Sequence, residues 1–233
     1  IYTASENRLA LQELLPEAII SCYDSYDDSQ LSHLLDWADV VCIGCGLGMG
    51  QISEKILKYV LKNVSCPCVI DADGLNLLSR NIELLNQCCA PVILTPHMKE
   101  MSRLTGWSID TIMEDRFQAL DQIIKQSGPD TKSSIICVLK DSRTVVAQTN
   151  RQKFVNLAGN NSMAKGGSGD VLAGTIAGLL AQHMAPFEAT TVGVFLHACG
   201  GDEAKKSKGS YSVLARDLIQ GMADAMKNAK ECR

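Results

Sequence analysis

Short apolar runs that lack polar alternation recur along this chain, and they constrain its fold more than any other feature of the sequence. Four of these runs are residues 40–43, 68–71, 92–95 and 135–140, which are rich in Val, Ile, Leu and Cys. Such runs predict strands of a parallel sheet that helices cover on both faces. Amphipathic segments separate them; after the first run, Ile52, Ile56 and Val60 share one helical face. The sequence therefore predicts an α/β/α protein in three layers with a mostly parallel central sheet.

The second half of the chain adds a hairpin and several helices to this pattern. Residues 141–143 form a predicted tight turn into a partner strand at 144–148, and residues 153–157 add a short edge strand. The predicted helices span 110–126 (ended by Gly128-Pro129), 170–182, 186–206 and 213–227. Because the 233 residues contain no repeat and no linker, we expect residues 1–233 to form a single domain.

Charge, aromatic content and cysteine usage exclude several functional classes. The 22 basic and 26 acidic residues leave a net charge of −4, and aromatic residues make up 5% of the chain. Binding to nucleic acid needs positive charge and stacking rings, so we expect no nucleic acid partner. The sequence shows no signal peptide and no apolar stretch of membrane-spanning length, and its ten cysteines are too sparse for a disulfide scaffold. We therefore expect a protein of the reducing cytoplasm without a membrane partner.

A glycine-rich segment just before the helix at 170–182 carries the strongest chemical signal. It runs from Gly159 to Asp170 and ends in Gly-Gly-Ser-Gly-Asp. Small residues at a helix N-terminus leave backbone N–H groups free, and both these donors and the helix dipole favour an anion. A phosphate is the natural occupant, although the segment lacks the Gly-Lys-Ser/Thr ending of a Walker A loop. Lys165 adds a positive charge to the same loop.

Asp170 closes this segment and has two interpretations. An Asp at the start of a helix is most often an N-cap residue. Beside a bound phosphate, the same carboxylate can act as a general base that takes a proton from an attacking hydroxyl. The spacing alone leaves both interpretations open.

A second glycine turn follows the strand at 40–43. Its GxGxG pattern lacks the acidic partner of a dinucleotide fingerprint. The pattern therefore fits two interpretations: a turn where a ligand can lie close to the backbone, or an ordinary turn between a strand and a helix. Cys42 and Cys45 also have C-x-x-C spacing. Because we expect Cys42 in a buried strand, and no second cysteine pair supplies zinc ligands, a structural role is favoured over a redox or metal role.

His97 follows Thr95-Pro96 at a strand end, where parallel sheets bind ligands. A histidine there indicates a polar contact or an acid–base group. The other histidines, at positions 33, 183 and 197, fall in helical stretches and are interpreted as structural. Glu100 and Arg103 have the i,i+3 spacing of an ion pair on one helix face.

Several segments together resemble one family, the ADP-dependent NAD(P)H-hydrate dehydratases, whose carbohydrate kinase-like domain has a ribokinase-like fold. The segments are 43–48, 69–76, 93–104, 138–145 and 163–182. The Gly-Gly-Ser-Gly-Asp-Val-Leu-Ala-Gly stretch alone indicates only the ribokinase superfamily. Combined with the Thr-Pro-His and Asp-Ala-Asp-Gly-Leu-Asn stretches it is far more specific. The resemblance runs from about residue 15 to residue 218.

This resemblance implies a metabolite-repair lyase that dehydrates NADH or NADPH hydrate with ADP or ATP and Mg²⁺, assembled as a homotetramer. It implies that Asp170 is the catalytic base. It also implies that the hydrate is contacted by Gly46, Gly48, His97 and Asp170. It also implies contacts to the nucleotide from Lys140, Asp141, Ser142, Arg143, Thr144, Asn160, Lys165, Gly166, Gly167, Ser168 and Gly169.

The chain departs from the family pattern in four places. No glycine precedes Gly44, so we expect the glycine-rich N-terminal strand, loop and helix of the family to be missing. Cys45 stands where proline is usual, Asp141 where glycine is usual and Lys165 where threonine is frequent.

Two other functions fit the same residues. One is a small-molecule kinase of the ribokinase superfamily, of the hydroxymethylpyrimidine or thiazole type, in which Asp170 keeps its role. The other is a nucleotide-binding regulator without turnover. The Thr95-Pro96-His97 stretch and the stretch from Asp71 to Asn76 favour the dehydratase, and resemblance favours ADP over ATP.

Overall fold

The computed structural model describes residues 1–125 and 134–231 and contains a six-stranded central sheet with the order β3-β4-β5-β6-β7-β8. Its strands are β3 (Val41–Ile43), β4 (Cys68–Ile70), β5 (Val92–Leu94), β6 (Ile135–Leu139), β7 (Val145–Gln148) and β8 (Phe154–Val155). Strands β3 to β6 are parallel, and β7 and β8 join antiparallel. All six predicted strands and the predicted hairpin are confirmed.

Helices cover both faces of this sheet. One face packs against α3 (Gln51–Asn63), α4 (Ala72–Leu78), α5 (Met98–Thr105), α6 (Ile109–Glu114) and α7 (Arg116–Ile124), and the other against α8 (Ser168–Ala181) and α9 (Pro186–Lys208). Successive strand residues point to opposite layers: Cys68 and Ile70 pack in the first core, whereas Val69 packs in the second. The final helix, α10 (Ala215–Glu231), packs on α9 and α8. The predicted three-layer architecture is confirmed.

The N-terminal elements were not predicted from the sequence. They are β1 (Tyr2–Ala4), α1 (Arg8–Leu14), β2 (Ser21–Tyr23) and α2 (Asp28–Trp37), and short 3₁₀ turns lie at Ser5–Asn7, Ile82–Gln87 and Asn161–Met163. Strands β1 and β2 pair in parallel as a separate two-stranded sheet. Within the described ranges, no helix combines the length and the apolar character that a membrane crossing requires.

Two sequence-based expectations need correction. The predicted helix over 110–126 is two helices, because Asp115 adopts a non-helical conformation and its carboxylate accepts the Gln118 N–H at 2.9 Å as the cap of α7. The predicted end at Gly128-Pro129 lies outside the described residues. Cys42 is exposed rather than buried, because β3 is an edge strand of the six-stranded sheet.

A close contact between two turns shapes the carboxyl edge of the sheet. Gly44 follows β3 with φ of +121°, and a Cβ there would lie 1.9 Å from the Asp71 carbonyl oxygen. Only glycine accommodates both this backbone conformation and this approach. The turn after β3 is therefore held against the end of β4, where Asp71 begins the connection to α4.

Candidate active site

A cavity of about 1020 Å³ opens at the carboxyl edge of the sheet, where ligands of parallel α/β proteins bind. Most of the predicted site residues line it: His97, Lys140, Asp141, Ser142, Arg143, Thr144, Asn160, Lys165, Gly166, Gly167, Ser168, Gly169 and Asp170. Gly46 and Gly48 are not among the lining residues. They lie in the adjoining turn after β3, where the Gly48 N–H donates to Asp73 at 2.9 Å.

The N-terminus of α8 faces this cavity with free donors. Gly167 is its N-cap with φ of +85°, a left-handed conformation that glycine adopts without strain, and no side chain caps the helix. Within the described part of the chain, the N–H groups of Gly167, Gly169 and Asp170 have no acceptor. Unpaired amides at a helix N-terminus favour an anion.

Asp170 lies in the first turn of α8, and the N-cap interpretation is therefore wrong. Its side chain is exposed and lines the cavity. Among the residues that the structure describes, none forms a hydrogen bond or an ion pair with its carboxylate. An unpaired carboxylate beside an anion site is available to accept a proton from a ligand.

A buried ionic cluster lies next to the helix N-terminus. Lys140 Nζ is 2.6 Å from Asp71 Oδ1 and 3.9 Å from Glu100 Oε2, and both carboxylate side chains are almost fully buried. Burial raises the pKa of the Glu100 carboxyl, although the His97 N–H and the Lys140 charge act in the opposite direction. Asp71 and Lys140 are the last residues of two predicted strand runs, but the sequence did not indicate that they pair.

His97 has a structural role that the sequence did not indicate. Its Nδ1 accepts the N–H groups of Lys99 and Glu100 at 3.1 and 3.2 Å, and the Glu100 carboxylate accepts the His97 N–H at 2.8 Å. This capping box begins α5. The expected pair between Glu100 and Arg103 is absent, because Arg103 donates instead to the Asn76 side chain at 2.7 Å.

The loops around the cavity are braced by their own polar contacts. Both oxygens of Asp202 accept hydrogen bonds from the glycine-rich segment, from the Asn160 side chain at 2.7 Å and from the Gly159 N–H at 3.0 Å. In the turn after β6, Arg116 pairs with Asp141 at 2.7 Å and Arg143 donates to the Leu157 carbonyl at 3.2 Å. These contacts tie the loops to neighbouring segments.

His197 is a cavity residue that sequence reasoning missed. It lies on α9 beside Val194 and Ala198, and these three residues line the cavity with i, i+3, i+4 spacing, which was the available signal. Burial is the main reason that the pKa of His197 falls to about 4, although the Ser168 backbone acts against it. His197 is therefore neutral at pH 7, and its buried Nε2 has no partner within the described residues.

Asp71 and Asp170 could also hold a divalent cation. Their carboxylate oxygens and the Cys45 sulfur lie within 4.8 Å of one another. Carboxylate oxygens suit Mg²⁺, which usually takes one or two of them together with phosphate oxygens and water. The two aspartates therefore fit a magnesium ion that enters with a nucleotide.

Comparison with known proteins decides the family. A sequence profile described as NAD(P)H-hydrate dehydratase matches residues 1–223. The chain belongs to the NAD(P)H-hydrate dehydratase family. The family result favours the dehydratase over the alternative of a small-molecule kinase.

Individual members of the NAD(P)H-hydrate dehydratase family agree with this assignment. The ADP-dependent (S)-NAD(P)H-hydrate dehydratase of Neisseria meningitidis is 35% identical over 93% of this chain and 73% of its own. The bifunctional NAD(P)H-hydrate repair enzyme Nnr of Moorella thermoacetica is 37% identical over 83% of this chain. This chain spans 35–40% of the length of that protein and three other bifunctional relatives.

A solved structure of the family confirms the ribokinase-like fold. The ADP/ATP-dependent NAD(P)H-hydrate dehydratase of Bacillus subtilis, co-crystallised with ATP and Mg²⁺, superposes with a TM-score of 0.80 at 27% identity. The match covers 97% of this chain and 76% of the Bacillus protein.

Proposed function

We propose that this chain dehydrates NADH or NADPH hydrate back to the reduced nicotinamide cofactor, with ADP or ATP as the phosphoryl donor. The observation that carries this proposal is the free amide cluster at the N-terminus of α8 beside the unpaired Asp170 carboxylate, within one cavity. Family membership supplies the substrate class. The named activity of the Neisseria relative makes ADP the favoured donor.

The chemistry follows from the poor leaving ability of hydroxide. Asp170 accepts the proton of the hydroxyl on the hydrated ring while that oxygen attacks the terminal phosphorus of the nucleotide. A new O–P bond forms, and the bond from that phosphorus to the bridging oxygen of the donor breaks. The ring then expels the phosphate and releases a proton from the adjacent carbon to solvent, which restores the double bond of the reduced nicotinamide.

The chain's own groups stabilise the charge that moves in this reaction. The N–H groups of Gly167 and Gly169 donate to the phosphate that is transferred, and the α8 dipole favours its negative charge. Lys165 and the turn at 140–144 hold the rest of the nucleotide. Asp71 and Asp170 are the residues that would reach Mg²⁺, and this ion supplies charge neutralisation on the phosphates.

Gly46, Gly48 and His97 are proposed to contact the hydrate. The turn that holds Gly46 and Gly48 packs against the end of β4, beside the cavity that His97 lines. We further propose that residues 1–233 act as one domain and that the protein works in the cytoplasm as a homotetramer. These last assignments come from the sequence and its family resemblance.

The direct test is recovery of the near-ultraviolet absorbance of reduced nicotinamide from purified NADH hydrate. We expect recovery with ADP and Mg²⁺ and none without nucleotide, with one nucleotide consumed per hydrate repaired. Nucleotide binding without recovery would favour the regulator, and stable phosphorylation of a hydroxymethylpyrimidine or thiazole alcohol would favour the kinase.

A further inference from the structure

Asp141 brings a negative charge into the turn that is proposed to hold the nucleotide. It lies in the turn between β6 and β7 and lines the cavity. The described residues that line this cavity include four carboxylate side chains and only three from lysine or arginine. The four carboxylates are those of Asp71, Glu100, Asp141 and Asp170. Because a nucleotide carries several negative charges on its phosphates, an uncompensated carboxylate in this turn would repel it.

Arg116 compensates the Asp141 charge from a different element of the fold. Its Nη2 lies 2.7 Å from Asp141 Oδ2. The Arg116 and Asp141 side chains are 32% and 25% exposed, so water screens this pair less than it screens a fully exposed one. Arg116 is not among the residues that line the cavity. The guanidinium therefore neutralises a carboxylate of the cavity wall without lining the cavity itself.

The helix that carries Arg116 does not account for its charge. Arg116 is the first residue of α7, where the helix dipole disfavours a cation. The cap of this helix comes from Asp115, whose carboxylate accepts the Gln118 N–H at 2.9 Å. The buried Arg116 Nε has no hydrogen-bond partner among the residues that the structure describes. The pair with Asp141 is therefore the contact that accounts for a guanidinium at this position.

We propose that Arg116 is a positioning residue that sets the affinity for the nucleotide by neutralising Asp141. It acts through Asp141 and does not contact the substrate. With the pair intact, the turn at 140–144 receives the nucleotide without a net negative charge from Asp141. Without Arg116, the charge of the Asp141 carboxylate is uncompensated and opposes binding of the phosphates. This inference rests on the proposed function in one respect, which is that the cavity binds a nucleotide.

Calorimetric binding of ADP and steady-state kinetics of hydrate repair test this role on the full chain. We expect Arg116→Gln to raise Kd and KM for ADP about 10-fold and to leave kcat within about twofold, because the lost charge acts on binding alone. The double variant Arg116→Gln/Asp141→Asn removes both charges and should bind ADP within about twofold of the parent. Arg151→Gln, in an exposed pair away from the cavity lining, is the matched control and should bind ADP as the parent does.

The proposal is overturned if Arg116→Gln binds ADP as tightly as the parent, or if the double variant binds it as weakly as Arg116→Gln does. A merely structural pair would give the second result, since removing both partners would not restore the affinity. Asp141→Asn alone keeps Arg116 and should bind ADP about threefold more tightly, so the test does not depend on Arg116→Gln folding. Weaker binding by Asp141→Asn would also overturn the proposal.

Failure of the proposed function gives a different result. A folded parent chain that binds no ADP or ATP would contradict the proposed function itself. Binding by the parent with no loss in Arg116→Gln would contradict only the role of Arg116.

Discussion

Two aspartates at the same edge of the sheet lie in opposite environments. The Asp71 side chain is 1% exposed and forms an ion pair with Lys140 at 2.6 Å, whereas Asp170 is exposed and has no partner among the described residues. Their carboxylate oxygens nevertheless lie within 4.8 Å of each other. The two neighbouring carboxylates therefore differ in burial and pairing: Asp71 joins the ends of two strands through Lys140, whereas Asp170 stays open to the cavity.

Removing the Asp170 charge should have the largest effect on catalysis and little effect on the fold. We expect Asp170→Asn to reduce hydrate repair by about 1,000-fold, because a general base contributes roughly 100- to 10,000-fold. The free energy of unfolding should change by less than about 1 kcal/mol, since the side chain has no partner to lose. Steady-state rates and urea denaturation measure the two effects. A full rate in the variant would remove Asp170 as the base.

The same change at Asp71 should lower stability, which Asp170→Asn does not. Asp71→Asn leaves the Lys140 ammonium beside a neutral amide in a mostly buried site, and breaking a buried ion pair costs about 3–5 kcal/mol. We expect the lower end, about 3 kcal/mol, because Glu100 lies 3.9 Å from Lys140 and keeps part of the attraction. Urea denaturation at neutral pH measures this loss. If Asp71→Asn and Asp170→Asn were equally stable, the contrast between the two carboxylates would fail.

His197 extends the comparison to a neutral group in the same cavity. Its pKa is about 4 in the folded chain and near 6.5 when unfolded, so the unfolded state binds the proton first as pH falls. The contribution of neutral His197 to the free energy of unfolding is fully present above pH 6.5 and is lost as pH falls towards 4. Between pH 7 and pH 4.5 the loss should be about 2.5 kcal/mol.

The variant His197→Asn is the control for this pH dependence. It removes the titrating group, so its stability should fall less steeply over the same pH range. Urea denaturation of both proteins at several pH values measures the difference. Parallel pH profiles for the two proteins would show that His197 is protonated without penalty in the folded state.

An exposed ion pair provides the smallest expected effect. Arg151 pairs with Glu188 at 2.7 Å, and both side chains are 47% exposed. Arg151→Gln should change the free energy of unfolding by less than about 1 kcal/mol, because water already solvates both charges. A loss as large as that of Asp71→Asn would mean that burial does not separate the two kinds of ion pair.

The strands and the glycine-rich start of α8 were predictable, because the sequence signal for each lies in residues that are adjacent in the chain. An unbroken apolar run such as Val92–Leu94 is buried on both faces, and small residues before α8 mark its open N-terminus. The short strands β1 and β2 carry no such signal, since their residues are only half-buried. Strands that are buried on both faces can therefore be predicted from local sequence, whereas half-buried strands cannot.

The partners within the site were not predictable from local sequence. Asp71 and Lys140 are 69 positions apart, and the close contact between Gly44 and the Asp71 backbone is set by tertiary packing. His197 resembles any histidine on a helix until α9 packs beside the cavity. Cys42 was expected to be buried because nothing in its strand indicates that β3 lies at the edge of the sheet.

A crystal structure with a non-hydrolysable nucleotide and Mg²⁺ tests most directly whether the α8 N-terminus is the phosphate site. We predict the terminal phosphate within about 3 Å of the Gly167 and Gly169 nitrogens, with the Asp170 carboxylate facing the open side of that phosphate. A nucleotide bound with its phosphates away from residues 166–170 would contradict the account.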